Sequence, residues 1–485
     1  MSATTTTTRA TCPHCGKAFL LTPEAEQPKP PPVVETQQPT GIIVSPTGHD
    51  SAPGTTQQPI SLQAALATAK PGAVYLLRGG VYRGSFVSSA SGAKDAPIVF
   101  RAAPGEHPTL DGAGQTAHTL LIQGAHVHFY NLEITNSAVD RIAGSPTCVS
   151  AQAEGIRVVN CILHDAGQGV FANQQAVDFE LYGCIIFNHG WQGAPPDRPH
   201  GHGVYIQNAT GTKRIVDNIV FNNYGWGIHA YGQGAELRNI HLEGNTVFGS
   251  GALARVVDGT VQNVAIGGYK PADGIELRSN VFYFPLDSAA FNTQFFYLAE
   301  NNGALSLRDN YFAGGVLGIE ARSWQRIDGG GNTVVGKVYL ARLVPAASGA
   351  IAWDNNAYFH LRDDPHHAPF STGSEGWTWS DWQKVKGFDE SGRYTRVASA
   401  TSIPNHISVR PNKYESGRAH VAVVNWSRQA SVSVDLSAVL KSGEKFEVRN
   451  VVNLSSPILT GVFNGKAVSL PTPQEVNAFL VRRTQ

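Results

Sequence analysis

Between about Leu62 and Tyr358 short apolar runs alternate with turn residues at a spacing more regular than an ordinary globular fold shows. Six segments align: Val149-Ser150-Ala151-Gln152, Val170-Phe171-Ala172-Asn173, Val204-Tyr205-Ile206-Gln207, Ile228-His229-Ala230-Tyr231, Val264-Ala265-Ile266-Gly267 and Ile319-Glu320-Ala321-Arg322. The first and third residues of each are apolar and the second and fourth take the other side, the period of a strand buried on one face. A second signal accompanies them: a turn residue, then Asn or Cys, then an apolar residue. It recurs at Cys161, Cys184, Asn218, Asn245, Asn280, Asn310, Asn332 and Asn356. Where no loop intervenes the repeat is about 22–23 residues, enough for three short strands at ~3.3 Å per residue and their turns. Longer gaps, such as Cys184 to Asn218, imply loops inserted at a turn. Asn suits stacked turns, because it tolerates left-handed backbone and its amide reaches the turn above or below. Cys161 and Cys184 share that register and predict a buried thiol stack. The whole predicts an all-β chain, a right-handed single-stranded parallel β-helix over residues 59–360.

The flanks differ. Ser61 to Ala69 reads as a short helix, with Leu62, Ala65, Leu66 and Ala69 on one side, Ser61 as N-cap and Pro71-Gly72 as stop. Such a helix closes the open end of a stacked core. Residues 1–58 read as a disordered arm carrying the polyproline spacer Gln27 to Pro32. Residues 361–400 form a Trp-rich connector, with Trp377, Trp379 and Trp382 clustered. Residues 401–485, with His420 to Trp426, Val432 to Leu436 and Lys445 to Arg449 in period two, predict a small antiparallel β-sandwich.

Charge excludes some partners. Lys plus Arg and Asp plus Glu both number 37, so no global field draws the chain to nucleic acid or an anionic membrane. No run approaches the ~20 apolar residues of a membrane helix, and Met1-Ser2-Ala3 with its threonines has no secretory signal pattern. Five cysteines in this length make no disulfide framework. Cys12 and Cys15 form one zinc-ribbon-like knuckle, half of a tetrahedral site. Two readings stay open: zinc shared with a partner or a second copy, or a degenerate remnant. Without such a bridge the chain is expected to be a monomer.

The densest polar cluster runs from Asp197 to Gln207 and enters a strand. Opening a uronate glycoside by β-elimination needs a base, a carboxylate neutraliser and an acid. Candidates are Tyr205 and Tyr231 for proton transfer and His202 and His229 as base or neutraliser, with Asn173, His189, His200, Gln207, Glu320 and Arg322 as substrate-binding residues. His164 and His189 are expected to form a second column. His200, His202 and His229 are alternatively ligands for a metal; the cofactor is left open, with calcium or another divalent metal as candidates. For any single histidine the plainer reading is a brace for its loop. A hydrolase would need two carboxylates, from Asp165, Asp197, Asp273 and Glu320.

Ser61-Leu62-Gln63-Ala64-Ala65-Leu66 with Lys70-Pro71-Gly72, Arg78-Gly79-Gly80-Val81-Tyr82, Ala96 to Ala102 and the Asn repeats resemble the bacterial pectin-lyase-like β-helix superfamily. Val409 to Glu415 with Asn425-Trp426 resembles a β-sandwich appended to many such proteins. The resemblance implies a polysaccharide partner and an extracellular or periplasmic place; the absence of a signal pattern leaves the cytoplasm open. It implies a polysaccharide lyase first, a glycoside hydrolase second, and a non-catalytic binding or structural solenoid third. The motifs of calcium-dependent lyases and the paired aspartates of polygalacturonase-like hydrolases are not matched.

Overall fold

A computed structural model of the chain describes residues 8–11, 18–21, 40–114, 118–255, 261–362, 364 and 366–484. The chain divides into two compact units, Met1–Pro39 and Thr40–Gln485. In the first, Thr8–Thr11 pairs antiparallel with Ala18–Leu21. Cys12, Cys15 and the polyproline run lie outside the described residues.

In the second unit, three strands per coil stack in parallel into a β-helix. The first face contains Thr147–Ala151, Gln168–Ala172, His202–Ile206, Trp226–Ala230, Val264–Ile266 and Phe291–Phe295, continuing into Leu317–Gly330. The inward column Val149, Val170, Val204, Ile228, Val264, Thr293, Ile319 keeps strict register. It contains one coil that the apolar pattern misses, because the buried Thr293 takes the aliphatic position and donates to Gly318 O at 2.9 Å. The third face is a 12-stranded parallel sheet from Gly80–Arg83 to Arg393–Arg396.

The asparagines of the turns form a continuous buried spine. Nδ2 of Asn218, Asn245, Asn280, Asn310 and Asn332 each donates to Oδ1 of the next, at 2.9–3.1 Å. Asn356 donates onward to Asp389 at 2.8 Å. Each Oδ1 also accepts the backbone N–H of the coil before it, so the carboxamides from Asn218 to Asn332 are satisfied on both sides. Cys148, Cys161 and Cys184 are buried free thiols, and the last two hold the ladder register as expected.

The ends correct the expected boundaries. Leu62–Thr68 is the capping helix, with Ser61 Oγ accepting from Ala64 N. The coil starts before it, however: Ile42–His49 pairs in parallel with Val74–Leu77, so this part of the expected arm, residues 1–58, belongs to the first coil. Val44, fully buried, gives that strand its inward anchor. Residues expected to form a connector close the other end. Arg393–Arg396 adds to the third face, while Phe370 and Trp382 stack at 4.8 Å beneath Tyr358.

The C-terminal part is a five-stranded antiparallel sheet facing a two-stranded one around Val421, Val434, Phe446 and Phe479. It covers the third face of the coil through Trp426, Val424 and Leu480 on Phe221, Val281 and Tyr311. Trp426 Nε1 donates to the Tyr311 hydroxyl at 2.6 Å, and Arg410 Nε to Asp217 Oδ1 at 2.6 Å. Among the described residues these contacts fall on the third face and not on the first.

Candidate active-site cleft

The loop between Ile185–Phe187 and His202–Ile206 folds back as a flap over the first face. Trp191 and His200 exchange backbone hydrogen bonds and their rings stack at 5.1 Å. His200 Nε2 meets Asp197 Oδ1 at 2.8 Å, which fixes the flap's tip. Gly201 then turns the chain in the left-handed region, φ +87°, and a Cβ there would lie 2.4 Å from Gly167 O. Glycine alone fits that approach, so alternate residues of His200-Gly201-His202 are sent to different walls.

From His202 onwards the outward columns form a cleft of about 700 Å3. One column runs from Gln168 through His202 to Trp226; the next from Phe171 through Tyr205, His229 and Ala265 to Gln294. Stacking in a parallel array at ~4.8 Å brings these rings face to face. His202 lies 4.8 Å from Tyr205, 5.2 Å from Trp226 and 4.9 Å from His229, centroid to centroid. His229 stacks on Tyr231 at 5.2 Å, and Tyr297 meets Tyr231 edge-on at 5.1 Å. The four residues expected to carry proton transfer therefore share one wall.

Neither imidazole has a hydrogen bond to a described residue, and the buried Nδ1 atoms of His202 and His229 are unpartnered. Burial, with His229 and Arg198 nearby, holds His202 well below the usual histidine range, and burial drives His229 down to about 3. Both are neutral at ordinary pH. Burial raises Tyr205, while burial and Tyr297 push Tyr231 up to about 12, so both hydroxyls keep their protons. Arg198, above Trp226 at 5.5 Å, is the one charged residue lining the cleft among the described residues.

Other expected residues lie elsewhere. His189 is fully buried, Nε2 meeting Leu163 O at 3.1 Å, and burial takes it down to about 3. Its expected column with His164 does not form, because His164 is in register with Phe187. Asn173 caps its own turn, accepting from Gln175 N and Ala176 N. Gln207 Nε2 donates to Tyr231 O at 3.2 Å and so braces that turn. Glu320, 2% exposed, is engaged by Gln294, Arg322 and Arg342 just beyond the cleft. Gln168, Gln294, Phe296 and Tyr297 line the cleft without having been singled out from sequence. All but Tyr297 follow from running the outward columns one coil further each way. Lys213 was also missed: its buried Nζ donates to Asn173 O and Gln207 O, both at 2.6 Å, and ties down those two turns.

The donor set does not suit calcium, which takes six to eight oxygen ligands, mostly carboxylates. No carboxylate lines the cleft among the described residues. His202 and His229 lie 4.9 Å apart with their rings tilted by 35°, and His200 is turned to Asp197, so the three do not converge on one point. Among the described residues no group of three or more His, Cys, Asp or Glu is arranged to hold a metal.

Residues 42–259 match the family model of the Pel9A-like right-handed β-helix region. Over those residues the coil is similar to that family's β-helix. Among solved structures similar to this β-helix is the pectate lyase Pel9A: 14% identity, 72% of this chain and 84% of that chain covered, TM-score 0.46. A rhamnogalacturonan lyase gives 14% identity, 71% and 90% coverage and TM-score 0.48. The lacto-N-biosidase from Eubacterium ramulus gives 16% identity, 73% and 66% coverage and TM-score 0.43. No curated protein matches the chain. Among the described residues no helix is long and apolar enough to cross a membrane.

Proposed function

We propose that this β-helix is a polysaccharide lyase that cleaves a uronate-containing chain by β-elimination in the cleft of the first face. One observation carries the reading: two neutral, unpartnered imidazoles stand among protonated tyrosine hydroxyls, with one guanidinium as the lining charge.

The chemistry follows from those protonation states. Arg198 pairs with the uronate carboxylate and makes the carbon-5 proton more acidic; a neutral histidine cannot supply that charge. His202 or His229 accepts the proton through a free ring nitrogen. The electron pair left on carbon 5 forms the double bond to carbon 4, the bond from carbon 4 to the glycosidic oxygen breaks, and Tyr205 gives its proton to that oxygen. The proton gained by the histidine and the one lost by the tyrosine then return through water. Trp226 and Tyr231 offer aromatic faces for sugar rings.

A two-carboxylate hydrolase is less well supported. Asp165 is bound by Arg141 and His164, Asp197 by His200, Asp273 by its own turn and Glu320 by two arginines. The test is a panel of pectin, alginate, glycosaminoglycans and neutral polysaccharides, read for ultraviolet absorbance and reducing ends together. The lyase reading requires both to rise on a uronate polymer. Reducing ends without absorbance would establish a hydrolase, and retention without either a binding module.

A further inference from the structure

The outward column of the cleft does not stop at Gln294. It continues in register to Glu320 and Arg342, and the neighbouring column brings Arg322 over the Phe296 ring at 3.7 Å. Here two guanidiniums face one carboxylate. Glu320 Oε2 accepts from Gln294 Nε2 at 3.0 Å, while its Oε1 lies 3.3 Å from Arg322 Nε and 3.6 Å from Arg342 Nη1. Those two contacts are ion pairs without hydrogen-bond geometry. The buried Nε atoms of both arginines are unpartnered, and Arg342 has a single hydrogen bond, from Nη2 to Gly373 O at 3.3 Å. Arg322 makes none to a described residue. The cluster thus has one positive charge in excess and most of its N–H donors unused, on side chains 31% and 37% exposed. Guanidinium donors in a planar fork match a carboxylate.

We propose that Arg322 and Arg342 form a second carboxylate-binding subsite, which takes a uronate residue remote from the bond that breaks. Glu320 neutralises one of the two adjacent cations and competes with a glycan carboxylate for both. Gln294 and Phe296 join this cluster to the cleft wall. From His229 to Glu320 is three coils, roughly 14 Å at the parallel-strand spacing. One pyranose and its linkage span about one coil (~4.8 Å) along an extended glycan, so the second carboxylate lies about three sugars away. The substrate is accordingly a polymer with acidic sugars at both places, not a neutral chain with isolated uronates. This inference rests on the cleft being a glycan site.

The test uses the full chain and uronan hexamers built on galacturonate, glucuronate or mannuronate, with binding read from tryptophan fluorescence quenching in the first milliseconds, before turnover. Arg322→Gln should weaken the hexamer that wild type binds best by about tenfold, the loss of a charge-assisted hydrogen bond, and reduce its salt dependence. Glu320→Gln should tighten it. The carboxyl-reduced hexamer, and a trimer too short to bridge both places, should bind Arg322→Gln as they bind wild type. A sulfated hexamer bound more tightly than every uronan would reassign the subsite to sulfate and overturn the proposal. Unchanged hexamer binding by Arg322→Gln and Arg342→Gln would overturn it, as would an equal loss for the carboxyl-reduced hexamer, which marks a structural brace. Arg322-dependent binding without absorbing products keeps the subsite and removes the lyase; cleavage with Arg322-independent binding does the reverse.

Discussion

His202 and His229 stand one coil apart with ring centroids separated by 4.9 Å, and neither imidazole has a hydrogen-bond partner among the described residues. Their neutrality has a consequence for stability. An unfolded chain takes up protons on histidine below about 6.5, whereas native His229 does so only near about 3. Between those values the unfolded state binds more protons, so stability falls as pH is lowered through this window. His229→Gln should flatten the slope of unfolding free energy against pH between those limits. Equal slopes in wild type and variant would contradict the assignment.

Tyr205 is the hydroxyl placed to protonate a leaving oxygen, with its ring held between Phe171 at 5.2 Å and His202 at 4.8 Å. Tyr205→Phe keeps both stacks and removes the hydroxyl, so kcat should drop about a hundredfold or more while unfolding is little changed. His202→Ala should lower kcat comparably. Asn173→Ser, at a turn away from the cleft, should leave kcat within about threefold, since a serine hydroxyl still caps local N–H groups. Full activity in Tyr205→Phe and His202→Ala would remove this site.

The asparagine spine predicts a localised cost. Asn280 Oδ1 accepts from Asn245, and its Nδ2 donates to Leu242 O at 2.8 Å and to Asn310 at 2.9 Å. Asn280→Ala strands several buried groups and should destabilise the coil by about 2–4 kcal/mol. Hydrogen exchange should quicken first in the adjoining coils, because each repeat contacts only its neighbours.

His164 behaves oppositely to His229. Although burial works against its charge, hydrogen bonds to Asp165 at 2.8 Å and Glu133 at 3.0 Å hold it up to about 9. A raised native value means that its contribution is fully present below about 6.5 and is lost as pH rises through about 9. An NMR titration of this imidazole should show a midpoint near 9, and His164→Gln should destabilise more at pH 6 than at pH 10. A midpoint near 6.5 would show that the two carboxylates do not hold the proton.

The coil was legible because its signals are local and repeated. The pairs at Val204 and Ile228, or Asn310 and Asn332, declare strand and turn in a few residues, and register then puts Tyr205 beside His229. What was not legible depended on contacts that no short pattern encodes. Thr293 conceals a coil because its hydroxyl is satisfied by Gly318 O. His189 looks like a surface histidine in sequence, yet a loop folds it inward on Leu163 O. Ile42–His49 lacked a visible partner until the first coil paired with it. Tyr297 enters the cleft from a turn whose path the repeat does not specify.

The turn column is not uniform along its length. It contains thiols at Cys161 and Cys184 and carboxamides from Asn218 to Asn356, with Asp389 as the final acceptor. Thiols are weak hydrogen bonders, so in the early coils this column adds little to the backbone ladders that all the coils share, while in the later ones it adds directional polar links. His202 lies on the coil where one kind of cohesion gives way to the other. A glycan lying from His202 towards Arg342 would therefore rest on the coils that carry those extra links.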